Sequence, residues 1–288
     1  MITEKEEAME GEGMTADARN LYLDLLKRTL SFLLWPEPPQ PVEIFNFQNP
    51  PLRRWVFGMI SRILQPTRLR LVQRKVFSQA QRESGEIWPV YAETMIGLKR
   101  LNNLQSCVET VIREEVPGDF IETGVWRGGA CIFMRGVLAA YSVKDRRIFV
   151  ADSFEGLPKP EADKFPMDEG DTHYQNRYLA VSREEVEENF RKYGLLDDKI
   201  VILKGWFKDT LPKAPITELA IMRLDGDMYS STMDALTNLY PKLSKGGFCI
   251  IDDYALKGCR QAVDDYRAQH GITAPMEWID SASAFWRH

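Results

Sequence analysis

The sequence predicts an α/β fold: a mainly parallel central sheet with an antiparallel strand pair at the C-terminus and a helical cap at the N-terminus. Three observations lead there. From Phe120 onward short apolar strands alternate with longer helical patterns, the rhythm of βαβ units. Two last runs, Met276 to Asp280 and Ala284 to His288, are separated only by a short polar turn, as in a hairpin. The first 90 residues follow neither pattern, being helical, proline-rich and basic in turn.

Taken in order, residues 1 to about 15 are rich in Glu and Gly and poor in apolar residues, so no regular structure is expected there. A helix fits Ala16 to Trp35, where Leu21, Leu25, Leu26, Leu30, Leu33 and Leu34 recur at helical spacing. Residues 35 to 51, WPEPPQPVEIFNFQNPP, predict a connector or flap, because each proline removes a backbone donor and biases its predecessor toward extended geometry. Residues 52 to 85 carry Arg53, Arg54, Arg62, Arg68, Arg70, Arg74 and Lys75 among apolar residues, which reads as a solvated helix face rather than an anion site. A helical pattern covers Ala92 to Glu115, and Pro117-Gly118 closes it. The expected boundary between cap (1–90) and main domain (91–288) falls just before it.

The expected strands are Phe120 to Glu122, Ile148 to Asp152, Ile200 to Leu203, Leu219 to Leu224 and Phe248 to Asp252. Between them helices are expected over Gly129 to Tyr141, Glu184 to Tyr193, Ser230 to Leu243 and Cys259 to Gln269. No internal repeat is visible.

Composition narrows the function. With 37 basic and 42 acidic residues mixed along 288, and a formal charge of −5, no field is present to hold a polyanion, so nucleic acid is excluded as an expected partner. The four cysteines, Cys107, Cys131, Cys249 and Cys259, lack metal-ligand spacing and read as reduced structural thiols. The acidic opening is unlike a signal peptide, and no apolar run approaches the roughly 18 residues that span a bilayer. No membrane partner is therefore expected, and the expected compartment is the cytoplasm.

In an open parallel sheet, ligands bind beyond the carboxyl ends of the strands. Here Glu122, Asp152, Asp225 and Asp252 all end strands. The first turn, ETGVWRGG, lacks the second glycine of a dinucleotide fingerprint, since Trp126 stands in its place, and no Gly-Lys-Ser/Thr follows to make a P-loop. A glycine turn without a phosphate cradle suits a nucleoside-like ligand with an amino group and ribose hydroxyls. Asp152 would accept from two of those hydroxyls and Glu122 would act near a cation; S-adenosylmethionine fits, while a plain strand-to-helix turn is the alternative. Asp225 with Asp252 and Asp253 would offer Mg²⁺ the carboxylate oxygens it prefers. The alternative reading makes some of these acids helix N-caps.

These stretches, LYLDLLKRTL, WPVYAETMIGLKRLNNL, PGDFIETGVWRGGACIFMRGVL, VADSFEGLP, GWFKDTLP, RLDGDMYSSTMDAL and GGFCIIDDY, resemble the macrocin O-methyltransferase family over nearly the whole chain. The resemblance implies a class I methyltransferase Rossmann-like fold, S-adenosylmethionine as methyl donor, and Mg²⁺ held by Asp225, Asp252 and Asp253, with Asp227 as general base. It places Thr94 and Met95 near the methionine end of the cofactor and Trp206 near the adenine, with Thr123, Gly124 and Ser153 completing the cofactor set. It implies a deoxysugar hydroxyl on a glycosylated natural product as acceptor, a small-molecule glycoside, and a homo-oligomer of at least two copies, for which the N-terminal leucine stripe offers a surface. A catechol-type enzyme acting on an aromatic diol and a noncatalytic scaffold are the competing readings. Among other residues, His173 reads as a solvated loop histidine or a substrate contact, His270 as a helix end, and Arg127 as a possible carboxylate partner. The N-terminal aromatics, Trp35, Phe45, Phe47, Trp55, Phe57 and Trp88, read as cap packing or an acceptor pocket.

Overall fold

The computed structural model describes residues 14–44, 46 and 49–288. The expectation for residues 1 to about 15 lies almost wholly outside them, as do Phe45 and Phe47.

The first helix, α1 (Ala16–Leu30), is capped by Thr15, whose side chain accepts from the Ala18 N–H. It ends one turn earlier than its leucine pattern suggests. Leu23, Leu26 and Leu30 are buried, while Leu21 and Leu25 face outward. The proline-rich segment contributes β1 (Gln40–Pro41), which pairs antiparallel with β2 (Val72–Gln73). Two residues of ladder at an edge are what proline tolerates. Between them runs α2 (Pro51–Leu64), begun by a proline in its first turn and burying no residue. A short α3 (Gln79–Ser84) follows, closed at its start by a Ser78–Gln81 capping box.

Helix α4 (Gly97–Arg113) leads into β3 (Asp119–Thr123), and the alternation then runs as expected. The remaining elements are α5 (Gly129–Ala140), β4 (Ile148–Asp152), α6 (Arg183–Lys192), β5 (Ile200–Lys204), α7 (Phe207–Thr210), β6 (Leu219–Leu224), α8 (Tyr229–Leu239), β7 (Leu243–Ile251), α9 (Lys257–Gln269), β8 (Glu277–Trp278) and β9 (Ala284–Arg287). The main sheet has the order β5-β4-β3-β6-β7-β9-β8. Its first five strands are parallel, and β9 joins β7 and β8 antiparallel.

Strands β3 and β6 are buried at every residue. That follows from helices covering both faces of a parallel sheet. One core layer packs α1, α4, α5 and α6 on the sheet, the other α8 and α9. Gly136 on α5 lets α1 dock, because a Cβ there would stand 2.3 Å from Leu26 Cδ2. All four cysteines are buried and free. Among the described residues no helix is long and apolar enough to cross a membrane.

Candidate active site

From β3 the chain moves outward to β4 and β5, then returns to place β6 on the other side of β3. Connections therefore leave the ends of β3 and β6 in opposite directions and open a crevice there. A cavity of about 500 Å³ occupies it. Gly124 has φ +81°, and a Cβ on it would lie 1.7 Å from the Asp225 carbonyl oxygen. Only glycine lets the turn after β3 touch the turn after β6.

Asp152, at the end of β4, braces this first turn. One of its oxygens accepts from the Val125 N–H at 2.8 Å and the other from the Phe154 N–H at 2.7 Å. Burial pushes its pKa up, and these backbone donors draw it back. It also lines the cavity, together with Thr94, Met95, Glu122, Gly124, Ser153 and Trp206. Thr123 does not line it; the strand alternation buries its side chain fully.

Asp225, Asp227 and Asp253 each present a carboxylate oxygen within 4.8 Å of the others. Burial, then the neighbouring carboxylates, hold Asp225 and Asp253 well above the usual carboxylate range. Burial likewise pushes Asp227 up to about 7. Asp227 adopts φ +57°, a left-handed conformation uncommon for a residue with a side chain. The Asp253 Oδ2 atom is buried without a hydrogen-bond partner. These acids do not cap helices: the N-caps of α8 and α9 are Met228 and Leu256, and neither makes a side-chain cap bond.

Asp252 differs from its neighbour. One of its oxygens accepts from Arg223 and the other from Arg100 at 2.7 Å. The close set thus contains Asp225, Asp227 and Asp253, whereas the expected ligand set contains Asp252 in place of Asp227. Arg223, 1% exposed, also pairs with Glu122 and, at 3.0 Å, with Asp225. Glu122 is further held by the Cys131 thiol, which donates at 2.9 Å, so its charge is already matched by the protein. Arg100 in turn reaches Asp280 at 2.7 Å, tying the turn before β9 to the rim. Sequence reasoning missed both arginines. The signal for Arg223 was available, since a lone charge inside the apolar run LAIMRL must be buried and paired.

His173 lines the cavity, with Nδ1 3.1 Å from an Asp171 carboxylate oxygen. His270 ends α9, with its ring centroid 4.2 Å from that of Tyr266 and tilted 32° to it. Arg127 holds the backbone instead, donating to the Val90 and Ala92 carbonyls at 2.7 and 2.9 Å, with Glu185 3.5 Å away. Of the N-terminal aromatics, Trp88 lines the cavity and stacks on Tyr178 at 5.5 Å. Trp35 and Trp55 are exposed.

The chain is similar to known proteins along nearly its whole length. The family model described as Macrocin-O-methyltransferase (TylF) matches residues 19–288. Over 276 residues the chain is 50% identical to the 8-demethyl-8-(2,3-dimethoxy-alpha-L-rhamnosyl)-tetracenomycin-C 4'-O-methyltransferase of Streptomyces olivaceus, which covers 96% of this chain and 95% of that one. It is 49% identical over 270 residues to the mycinamicin III 3''-O-methyltransferase of Micromonospora griseorubida, covering 93% of this chain and 96% of the relative. The solved O-methyltransferase NovP superposes with a TM-score of 0.80 at 44% identity, over 94% of this chain and 99% of its own. The fold is that of class I O-methyltransferases, and the cavity lies in the crevice beyond the carboxyl ends of the strands, where open parallel sheets bind their ligands. Matched almost end to end at half identity, the chain belongs to the macrocin O-methyltransferase family and is an S-adenosylmethionine-dependent O-methyltransferase.

Proposed function

We propose that the protein methylates a deoxysugar hydroxyl of a glycosylated natural product in a Mg²⁺-dependent reaction. The relatives' names supply the acceptor class, because each modifies an antibiotic, one on a rhamnosyl-bearing tetracenomycin and one on a mycinamicin. The single observation that supports the metal is the carboxylate trio, whose buried oxygen on Asp253 has no partner of its own. Oxygen donors of this kind fit Mg²⁺. Asp225 and Asp253 would hold the ion; ligation by Asp252 requires one of its guanidinium contacts to open. Bound there, Mg²⁺ would supply the Lewis acidity that stabilises an alkoxide.

The protein's own groups do the rest. The residues around Gly124 and Asp152, which line the cavity, would hold the donor, and the donor would supply the methyl group. In-line transfer then forms a carbon–oxygen bond as the carbon–sulfur bond breaks, sulfur keeping the electron pair. Positioning supplies much of the rate. Asp227, on the turn between the two sides, takes the hydroxyl proton. Walls from residues 157–179 and Trp88 exclude water from the acceptor.

The test is methyl transfer from S-adenosylmethionine to a panel of rhamnosides, with and without a chelator, followed by mass spectrometry. Chelation should abolish transfer. Undiminished transfer under chelation would defeat the metal reading, and methylation of simple catechols but no glycoside would move the assignment to the aromatic class.

A further inference from the structure

The turn that carries Asp225 and Asp227 ends in Met228, the N-cap of α8. Methionine cannot accept the first-turn N–H groups that a helix leaves unpaired. In this protein the acceptor comes from elsewhere: Asp168 takes the Tyr229 N–H at 2.6 Å on Oδ1 and the Ser230 N–H at 3.1 Å on Oδ2. Asp168 is 3% exposed and lies in the long connection between β4 and α6. That connection spans residues 153–182 with only three single-turn 3-10 helices in it, Pro166–Asp168, His173–Gln175 and Arg177–Leu179, and is far longer than the ~12–15 residues above which a loop is usually functional. Leu157, Lys164, Phe165, His173 and Leu179 from it line the cavity.

Three further contacts fit the same joint. The Phe165 ring packs 6.1 Å from that of Tyr229. The Tyr229 hydroxyl donates to Asp265 on α9 at 3.1 Å. Gly258, at the start of α9, leaves room for the joint, since a Cβ there would stand 3.1 Å from the Tyr229 nitrogen and 3.3 Å from Asp168 Oδ1. The loop over the acceptor, the turn bearing the proposed base and α9 therefore meet at one buried carboxylate.

We infer that Asp168 is a positioning residue: it caps α8 from the acceptor loop, so that the loop must be seated for the Asp225–Asp227 turn to hold its shape. The N-cap residue Met228 makes no side-chain cap bond of its own. The metal arm of the test rests on the Mg²⁺ site proposed above; the exchange arm does not.

The experiment is amide hydrogen exchange on the full chain, wild type against Asp168→Ala and Asp168→Asn, with S-adenosylhomocysteine bound, alongside calorimetric titration of Mg²⁺. In Asp168→Ala, amides of 226–231 and of 157–180 should exchange about tenfold faster, the size expected from losing a cap, while β3 and β4 stay protected. Mg²⁺ should bind about tenfold more weakly by the same coupling, with S-adenosylhomocysteine affinity held within about twofold. Asp168→Asn, which keeps one acceptor oxygen, should fall between. Unchanged protection of 226–231 would overturn the inference, as would a loss of protection spread over the whole sheet together with loss of S-adenosylhomocysteine. If wild type takes up no Mg²⁺, the metal reading fails and the exchange pattern alone decides the role of Asp168.

Discussion

Carboxylates at the ends of three adjacent strands, Glu122, Asp225 and Asp252, share one guanidinium, and Arg223 has no solvent with which to replace them. Burial works against its charge, but these acids outweigh burial and keep it protonated. Arg223→Met should therefore cost about 3–5 kcal/mol in urea unfolding, the penalty for orphaning buried charge; a loss like that of an exposed arginine would contradict it. Asp227→Asn should slow turnover by about 10²- to 10⁴-fold while leaving S-adenosylmethionine affinity nearly intact. If it instead abolishes Mg²⁺ binding, Asp227 is a ligand and not the base. The raised carboxylates also fix a pH dependence. The folded pKa of Asp227 stands above its unfolded one, so in metal-free protein its favourable contribution is present at low pH and is lost as pH rises through about 7; Asp225 and Asp253 are shifted in the same direction. Added Mg²⁺ should then raise Tm more at mildly alkaline than at mildly acidic pH, as thermal melts with Mg²⁺ or EDTA would show. The acids were legible in the sequence because they end strands. Of their arginine partners, Arg223 was legible as the lone charge in LAIMRL, whereas Arg100 was not, since it and Asp252 are joined only by the fold.

At the scale of elements, the five parallel strands were legible from their apolar runs and β8 and β9 from a hairpin pattern, although β7 begins at Leu243, ahead of the expected Phe248. Helix starts were less so. The pattern from Ala92 suggests helix, yet α4 begins only at Gly97, because residues 93 and 94 spend their backbone on other partners. The Glu93 and Thr94 N–H groups donate to the Leu30 carbonyl, and the Glu93 carbonyl accepts from Gly129. This tie shapes the wall carrying Thr94 and Met95. The connection 153–182 has no period to read, so neither its seat nor Asp168 was visible. Gly124 is the element-scale hinge of the site. Gly124→Ala must push the β3 and β6 turns apart, and calorimetry should find S-adenosylmethionine binding lost; retained affinity would mean the close contact is dispensable.

For the whole molecule, the leucine stripe of α1 proved double-sided. Leu23, Leu26 and Leu30 belong to the core shared with α4 and α5, which leaves only Leu21 and Leu25 outside. Four exposed apolar residues, Leu52, Trp55, Met59 and Ile63, share one face of α2. A homo-oligomer is our proposal for this face. Sedimentation equilibrium should show a dimer or larger that Trp55→Asp weakens, and a monomer at micromolar concentration would refute it. The central claim remains the metal at the strand ends. Its most direct measurement is calorimetric titration of Mg²⁺ into chelator-stripped protein with S-adenosylmethionine bound, for wild type and Asp253→Ala. Saturable binding at one site in wild type and none in the variant is the result expected. A wild type that binds the cofactor but no Mg²⁺, or a variant that binds Mg²⁺ unchanged, would contradict it.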